Sequence, residues 1–190
     1  GCPHPIAMIR VLLPLALLGA AASLRAEKIV LVAGGSEARA GLPATQVKLL
    51  EPFGVDFDAS NRLYIVEMVS GNRLLRLDPS GDVVHVAGQT TPGDAGDGGP
   101  ALAAKFNGPH NLAVLPGGDI LIGDTWNGRI RRVDPVRGTV SSVAGFGVPA
   151  DRARASGPYC ITLDFSGSQV IIADLRQVHA LDLATGKSRV

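Results

Sequence analysis

Residues 109–138, PHNLAVLPGGDILIGDTWNGRIRRVDPVRG, decide the fold. Turn-forming residues break this stretch at Pro116–Gly118 and at Asp134–Pro135, and such signals are typical of short strands joined by tight reversals. The run Ile120–Gly123 is apolar throughout, which predicts a strand that is covered on both faces. The run Arg129–Val133 is more polar and predicts a more exposed strand. The stretch therefore predicts consecutive antiparallel strands.

Two further stretches repeat this pattern, each headed by a proline: residues 52–81 and residues 158–186. The three starts are spaced by about 50–60 residues, the length of a four-stranded propeller blade with its loops. The tripeptide Val-Ala-Gly recurs near the ends of the units, at Val86–Gly88 and Val143–Gly145. The sequence therefore predicts an all-β chain: an incomplete β-propeller of four-stranded antiparallel blades, with about three blades present.

The chain divides into residues 1–26 and residues 27–190. The first part holds Arg10, the unbroken apolar run 11–22 and then small residues, which is the pattern of a signal peptide. A transmembrane helix is the alternative, but the run is shorter than the roughly 20 residues that a span needs. We therefore expect a secreted or periplasmic protein without a membrane span after signal cleavage. The second part comprises the repeat units, at about 42–88, 100–145 and 157–190.

Composition argues against several classes of function. The 190-residue chain has a net charge of +1 and 4% aromatic residues, which opposes nucleic-acid binding because that function uses basic surfaces and stacking rings. Of the two Cys residues, Cys2 precedes the signal, so no disulfide is expected within the exported domain. The sequence contains no nucleophile elbow, phosphate-binding loop or Cys/His cluster. We therefore predict no cofactor and no metal site.

An acid, an Asn-containing loop and an Arg follow one another in Gly123–Ile130, GDTWNGRI, and more loosely in Glu67–Leu74. Ala173–Asp174 fits this pattern, whereas Arg176–Val178 departs from it. In these residues the chain resembles the NHL repeat family, and its linker Gly96–Ala101, GDGGPA, is similar to one in exported bacterial members. The resemblance implies a propeller of usually six blades, of which this chain would be a fragment.

One acid ends the second strand of each repeat: Glu67, Asp124 and Asp174. A ring of these carboxylates could form a metal or ligand site, as in lactonase-like propellers. Alternatively, each acid could hold its own loop by accepting hydrogen bonds from nearby N–H groups or from the following Arg, such as Arg73 or Arg129. The structural interpretation is favoured, because a residue present in every repeat usually serves the repeat.

A binding site should break the repeat symmetry, and besides Cys160 four residues do so: His110, Asn111, Trp126 and Tyr159. His110 and Tyr159 each follow a repeat proline, where the chain enters its innermost strand, so they are expected to line the channel. Trp126 lies in a polar loop, where contact with a partner explains it better than core packing. We predict that these four residues bind a ligand. Cys160 is interpreted as a small buried hydrophobic residue.

Two charged features are interpreted as structural. Asp94 and Asp97 lie in a Gly-rich segment that lacks the alternating oxygens and final Glu of an EF-hand loop, so an inter-blade turn is predicted instead. Six arginines form a local basic group that is interpreted as a solvated blade edge: Arg129, Arg131, Arg132, Arg137, Arg152 and Arg154.

The function predicted from the sequence is that of a non-catalytic binding or interaction scaffold outside the cytoplasm. Its partner would be a protein or a small extracellular ligand. The alternative is a metal-dependent hydrolase or lyase of the six-bladed, lactonase-like type. A set of Glu, Asn, Asp and His converging on one channel mouth would favour the enzyme, whereas the same acid–Arg pairing in every blade would favour the scaffold.

Overall fold

The computed structural model describes residues 30–35 and 43–190. The chain separates into a unit Gly1–Val30 and a unit Leu31–Val190, and the fold described here is that of the second unit. The signal-peptide prediction for residues 1–26 lies outside the described residues.

Three four-stranded antiparallel sheets, which we call blades 1 to 3, follow one another along the chain. Helical structure in the described residues is limited to one turn, α1 (Ala153–Ser156), and three 3-10 turns. The prediction of an all-β chain with four-stranded antiparallel blades is therefore confirmed. The strands are β1 (Pro52–Phe57), β2 (Leu63–Glu67), β3 (Arg73–Leu77) and β4 (Val83–Gly88) in blade 1; β5 (Asn111–Val114), β6 (Ile120–Asp124), β7 (Arg129–Asp134) and β8 (Thr139–Gly147) in blade 2; and β9 (Cys160–Leu163), β10 (Gln169–Ala173), β11 (Val178–Asp182) and β12 (Ser188–Arg189) in blade 3.

The first strands of the blades pack side by side, β1 against β5 and β5 against β9. Two glycines, one on β1 and one on β6, allow neighbouring blades to approach closely. A Cβ atom on Gly54 would lie 2.7 Å from the Cα of Asn111, and one on Gly123 would lie 2.7 Å from the carbonyl oxygen of Pro158. Any larger residue would push neighbouring blades apart, so these positions fix the spacing between blades.

A separate apolar core fills each of the two junctions. The core between blades 1 and 2 includes Tyr64, Leu74 and Ile122, and the core between blades 2 and 3 includes Leu121 and Ile172. Each of these five side chains is fully buried. Both faces of blade 2 are therefore covered, which explains the continuous apolar sequence of β6.

Arg131, on the third strand of blade 2, corrects an expectation, because its side chain is 0% exposed. The linker Gly93–Pro100 covers this strand, and Asp97 places Oδ1 2.9 Å from Nε of Arg131. Ser142 donates a hydrogen bond of 2.6 Å to the same carboxylate. The prediction of an exposed third strand, and of a fully solvated arginine group, is thus wrong at Arg131. Arg132 and Arg137 are exposed.

The linkers before blades 1 and 2 bind their own blades at equivalent places. The N–H of Ala44 donates to the carbonyl of Gly81, and the N–H of Ala101 donates to that of Gly138, at 3.0 and 2.7 Å. The second linker continues along β8, where the N–H of Gly98 donates to Val140. Asp94 and Asp97 therefore belong to an inter-blade turn that closes the outer edge of blade 2.

The outward faces of blades 1 and 3 are partly uncovered. Val55 and Phe57 of β1 are 59% and 56% exposed, and Val178 of β11 is 58% exposed. Cys160, at the start of β9, is also exposed, so the expectation that it is buried is wrong: its strand faces away from blade 2 at this position. Within the part of the chain that the structure describes, no helix is both long and apolar enough to cross a membrane.

We expect the isolated chain to self-associate through these faces, because exposed apolar sheet surface favours burial against another copy. Replacing Phe57 with Lys should increase the monomer fraction. Replacing Val136, an exposed residue at a hairpin turn, with Lys serves as the matched control and should leave self-association unchanged. Size-exclusion chromatography with light scattering provides the measurement, and a wild-type chain that runs as a monomer would contradict the expectation.

Candidate functional site

A group of rings meets where the innermost strands begin. Phe53, His110 and Tyr159 each directly follow a proline at the start of their blades. The rings of Phe53 and His110 lie 5.1 Å apart and those of His110 and Tyr159 lie 4.6 Å apart, both edge to face. The close packing of β1, β5 and β9 therefore brings one ring from each blade to the same end of the structure.

Trp126 completes this aromatic cluster, a name we use for Phe53, His110, Trp126 and Tyr159. The indole lies on the 3-10 turn that follows β6, with its centroid 5.9 Å from that of His110. The guanidinium of Arg154 stacks 3.8 Å above the indole ring. The hydroxyl of Tyr159 donates to the carbonyl of Arg154 at 2.5 Å. A contact between a cation and an aromatic face is favourable, so α1 is held against the cluster.

The His110 side chain has a defined orientation. Its Nδ1 lies 2.7 Å from the carbonyl of Gly108, and because a carbonyl only accepts, this nitrogen carries the proton. No hydrogen bond from the described residues reaches Nε2, which is left as an acceptor. Burial lowers the pKa of His110 below its usual 6.5, and the bond to Gly108 opposes this only in part. The cluster therefore presents a neutral imidazole with a basic nitrogen.

Three of the four ligand-binding residues predicted from the sequence, His110, Trp126 and Tyr159, lie together in the cluster. The fourth, Asn111, is half-buried and begins β5 beside His110. Sequence reasoning missed Phe53, although it follows Pro52 as His110 follows Pro109, and that signal was available in the repeat alignment.

Sequence reasoning also missed the position of Arg154. The charge is visible in the sequence, but no local pattern links it to the indole of Trp126. Their contact depends on how the linker before blade 3 folds.

The repeat acid of blade 1, Glu67, is fully buried and holds the chain around it. Its Oε1 accepts a 2.7 Å hydrogen bond from the N–H of Leu50, which precedes β1. Its Oε2 lies 2.6 Å from the guanidinium of Arg73. The carboxylate is thus occupied on both oxygens.

Asp124, the equivalent acid of blade 2, is surrounded by donors. It accepts 2.8 Å hydrogen bonds from the N–H of Asn107 and from the side-chain amide of Asn127. The guanidinium groups of Arg129 and Arg131 each lie 3.6 Å away. Burial raises the pKa of Asp124 to about 6, against the opposing effect of these donors.

Asp174, in blade 3, accepts hydrogen bonds of 2.6 Å from the N–H groups of Arg176 and Gln177 in its own loop. The imidazole of His179 lies 3.5 Å from its other oxygen. Each of the three acids therefore holds segments of its own blade instead of converging on a shared site. Among residues 30–35 and 43–190, no three His, Cys, Asp or Glu side chains are grouped as metal ligands would be.

Truncating Asp124 to Ala should lower the free energy of unfolding by about 1–3 kcal/mol, because it leaves buried donors without acceptors. Asp119→Ala is the matched control. Asp119 pairs with the half-exposed Arg132, and surface pairs of this kind contribute only about 0–1 kcal/mol. Denaturant melts measure both changes. An Asp124→Ala variant with unchanged melting and lost divalent-metal binding would contradict the structural role.

Comparison with known proteins agrees with this fold. Residues 106–133 match the model of the NHL repeat. The chain is 27% identical over 156 residues to the human protein named NHL repeat-containing protein 2, an alignment that covers 73% of this chain and 21% of that protein. The chain thus spans about a fifth of the curated relative that it matches.

Solved structures of similar fold include virginiamycin B lyase from Staphylococcus aureus, with a TM-score of 0.52 and 16% identity over 73% of this chain and 40% of that one. A protein of unknown function from Bacteroides thetaiotaomicron gives a TM-score of 0.57 and 22% identity over 79% and 38% of the two chains. A putative gluconolactonase gives 0.52 and 18% over 75% and 47%. These likenesses concern the fold. Together with the three four-stranded blades, they show that the chain has a β-propeller-type fold, within which residues 106–133 are similar to the NHL repeat.

Proposed function

We propose that this chain is the binding part of an exported NHL-repeat propeller, and that it binds a protein or a small extracellular ligand at the aromatic cluster without catalysing a reaction. The observation that carries the proposal is the meeting of rings from three blades at one end of the inner strands. Phe53 is 60% exposed, so a ligand can reach the cluster. Rings of this kind supply large contact area at low entropic cost, which suits recognition.

The polar groups of the cluster indicate which chemical groups a partner should present to it. Nε2 of the neutral His110 offers an acceptor for an N–H or O–H group, and the guanidinium of Arg154 lies at the edge of the cluster. A protein loop could meet both needs of the site. Its apolar side chain would contact the rings, and a neighbouring backbone N–H would donate to Nε2 of His110. The repeat acids support a scaffold, because their oxygens are already occupied by their own loops or by neighbouring arginines and the His179 imidazole.

The alternative is a hydrolase or lyase, and one specific observation favours it. A neutral imidazole with a free Nε2 is also what a general base requires. Virginiamycin B lyase, which shares the fold, has been solved as a catalytically inactive His-to-Ala variant with quinupristin. A metal-dependent lyase or lactonase would need carboxylate or imidazole ligands from further blades of a longer, six-bladed propeller.

Selecting peptides from a random display library against the chain tests the binding proposal. Trp126→Ala and His110→Ala should each weaken the selected peptides at least tenfold, because each removes buried contact area at the centre of the site. Arg137→Ala, at a distant exposed turn, is the control and should have no effect.

The pH dependence of peptide binding gives a second readout. The pKa of His110 lies below 6.5, so the Nε2 acceptor persists at pH 6.5 and is lost only at lower pH, where the imidazole becomes charged. Binding should therefore hold from pH 8 to 6.5 and weaken below that range. Turnover of a lactone or of quinupristin in the presence of divalent metal ions, abolished in His110→Ala, would instead favour the enzyme.

Export is also part of the proposal. Residues 1–26 have the basic, apolar and small-residue segments of a cleaved signal, which would place the propeller in the periplasm or outside the cell. Mass spectrometry of protein recovered from those compartments should find a new N-terminus near Ser23 or Glu27. A mature protein that keeps Met8 would exclude cleavage.

A further inference from the structure

We infer that a cavity between blades 2 and 3 is a second binding site, for a small organic carboxylate that carries an apolar or aromatic group. We call this cavity the crevice. It has a volume of about 340 Å³, and its lining includes Phe146, Val148, Arg152, Asp174 and His179. It is separate from the aromatic cluster, and the inference does not depend on the proposed function.

The crevice exists because blade 3 departs from blade 2 at one register position. Arg131 pairs with Ile122 across blade 2, and His179 pairs with Ile172 across blade 3. His179 thus occupies the place of the longer Arg131. In blade 2 that place is covered by the linker, whose Asp97 reaches the arginine.

The linker before blade 3 does not repeat this cover. Residues 148–157 turn into α1, whereas the equivalent linkers bond to Gly81 and Gly138 of their own blades. Among the described residues, no hydrogen bond joins this linker to Gly186, the matching turn of blade 3. A shorter side chain and a displaced linker together leave the space open.

The charged side chains that line the crevice indicate the charge that its ligand should carry. The carboxylate of Asp174 is already engaged by two N–H groups of its own loop and faces His179. Arg152 lines the crevice and is exposed, and its guanidinium forms no ion pair with any described residue. The charge that a ligand can reach is therefore that of Arg152, because the Asp174 side chain is only 4% exposed. A guanidinium matches a carboxylate in shape and can bind it through two parallel hydrogen bonds.

The apolar wall of the crevice indicates the uncharged part of the ligand. Phe146 packs edge to face with His179, with ring centroids 5.5 Å apart, and Val148 and Pro149 continue the apolar side. The volume is at the small end of the range of about 300–1,000 Å³ for ligand pockets, which suits a molecule with one ring. One carboxylate and one imidazole are too few ligands for a bound metal ion.

The crevice and the aromatic cluster lie on opposite sides of α1. Arg152 and Ser156 line the crevice, whereas Arg154, between them in sequence, stacks on Trp126. This arrangement supplies matched variants, because two arginines on one helical turn serve different sites.

Equilibrium dialysis of the 190-residue chain with radiolabelled phenylacetate tests the inference. We expect saturable binding of phenylacetate, with no competition from phenethylamine or phenylacetamide, which have the same ring but lack the negative charge. Inorganic phosphate should compete poorly, because it cannot use the apolar wall. Arg152→Gln should weaken phenylacetate binding at least tenfold, since it removes a charge-assisted pair.

Two control variants make the result specific. Arg154→Gln should leave phenylacetate binding unchanged, because the guanidinium of Arg154 lies on the indole of Trp126. Arg137→Gln, at the exposed turn between β7 and β8, should also leave it unchanged. Equal competition by the amine or the amide, equal binding of phosphate, or an Arg152→Gln variant with wild-type affinity would each overturn the inference. The outcome does not depend on peptide binding, so failure at one site leaves the other untouched.

Discussion

The contact on which the structure depends is the near-touching of backbone between neighbouring blades at Gly54 and Gly123. Because these positions carry no side chain, β1 approaches the start of β5, and β6 approaches the segment entering β9, within van der Waals distance. That approach sets the distance across which both apolar cores must fit. It also brings the first residue after each repeat proline to a common point, so a purely steric requirement of packing creates the aromatic cluster.

The repeat acid occupies the same place in each blade, but its hydrogen-bonding and ion-pair partners differ from blade to blade. Glu67 pairs with an arginine, Asp124 with two amide donors and more distant arginines, and Asp174 with its own loop and a histidine. Each arrangement satisfies the carboxylate, since a buried charge without donors would cost several kcal/mol. The partner can therefore change from blade to blade while the acid stays, and such changes open or close space beside it. His179 in place of an arginine is the clearest case.

The sequence predicted the strands well because turn residues and apolar periodicity are local signals. The two central strands of blade 2 begin at their predicted residues, Ile120 and Arg129. It failed where burial is decided by distant segments. Arg131 is polar and locally resembles a surface residue, but a linker more than 30 residues earlier covers it. Cys160 is apolar and locally resembles a core residue, but its side of β9 has no blade against it. The aromatic cluster was partly predictable from register, whereas the stacking of Arg154 on Trp126 depends on the tertiary fold.

The displaced linker before blade 3 has a consequence for how such a protein can diversify. Changing the length of the linker before blade 2 would break hydrogen bonds to Gly138 and Val140 and uncover a buried arginine. Residues 148–157 make no such bonds to the blade that they precede, so insertions there leave the hydrogen bonds of blade 3 intact. The same residues line the crevice and hold Arg154 on Trp126. Selection can therefore act on both proposed binding sites through one short segment, at little cost to the blades that support it.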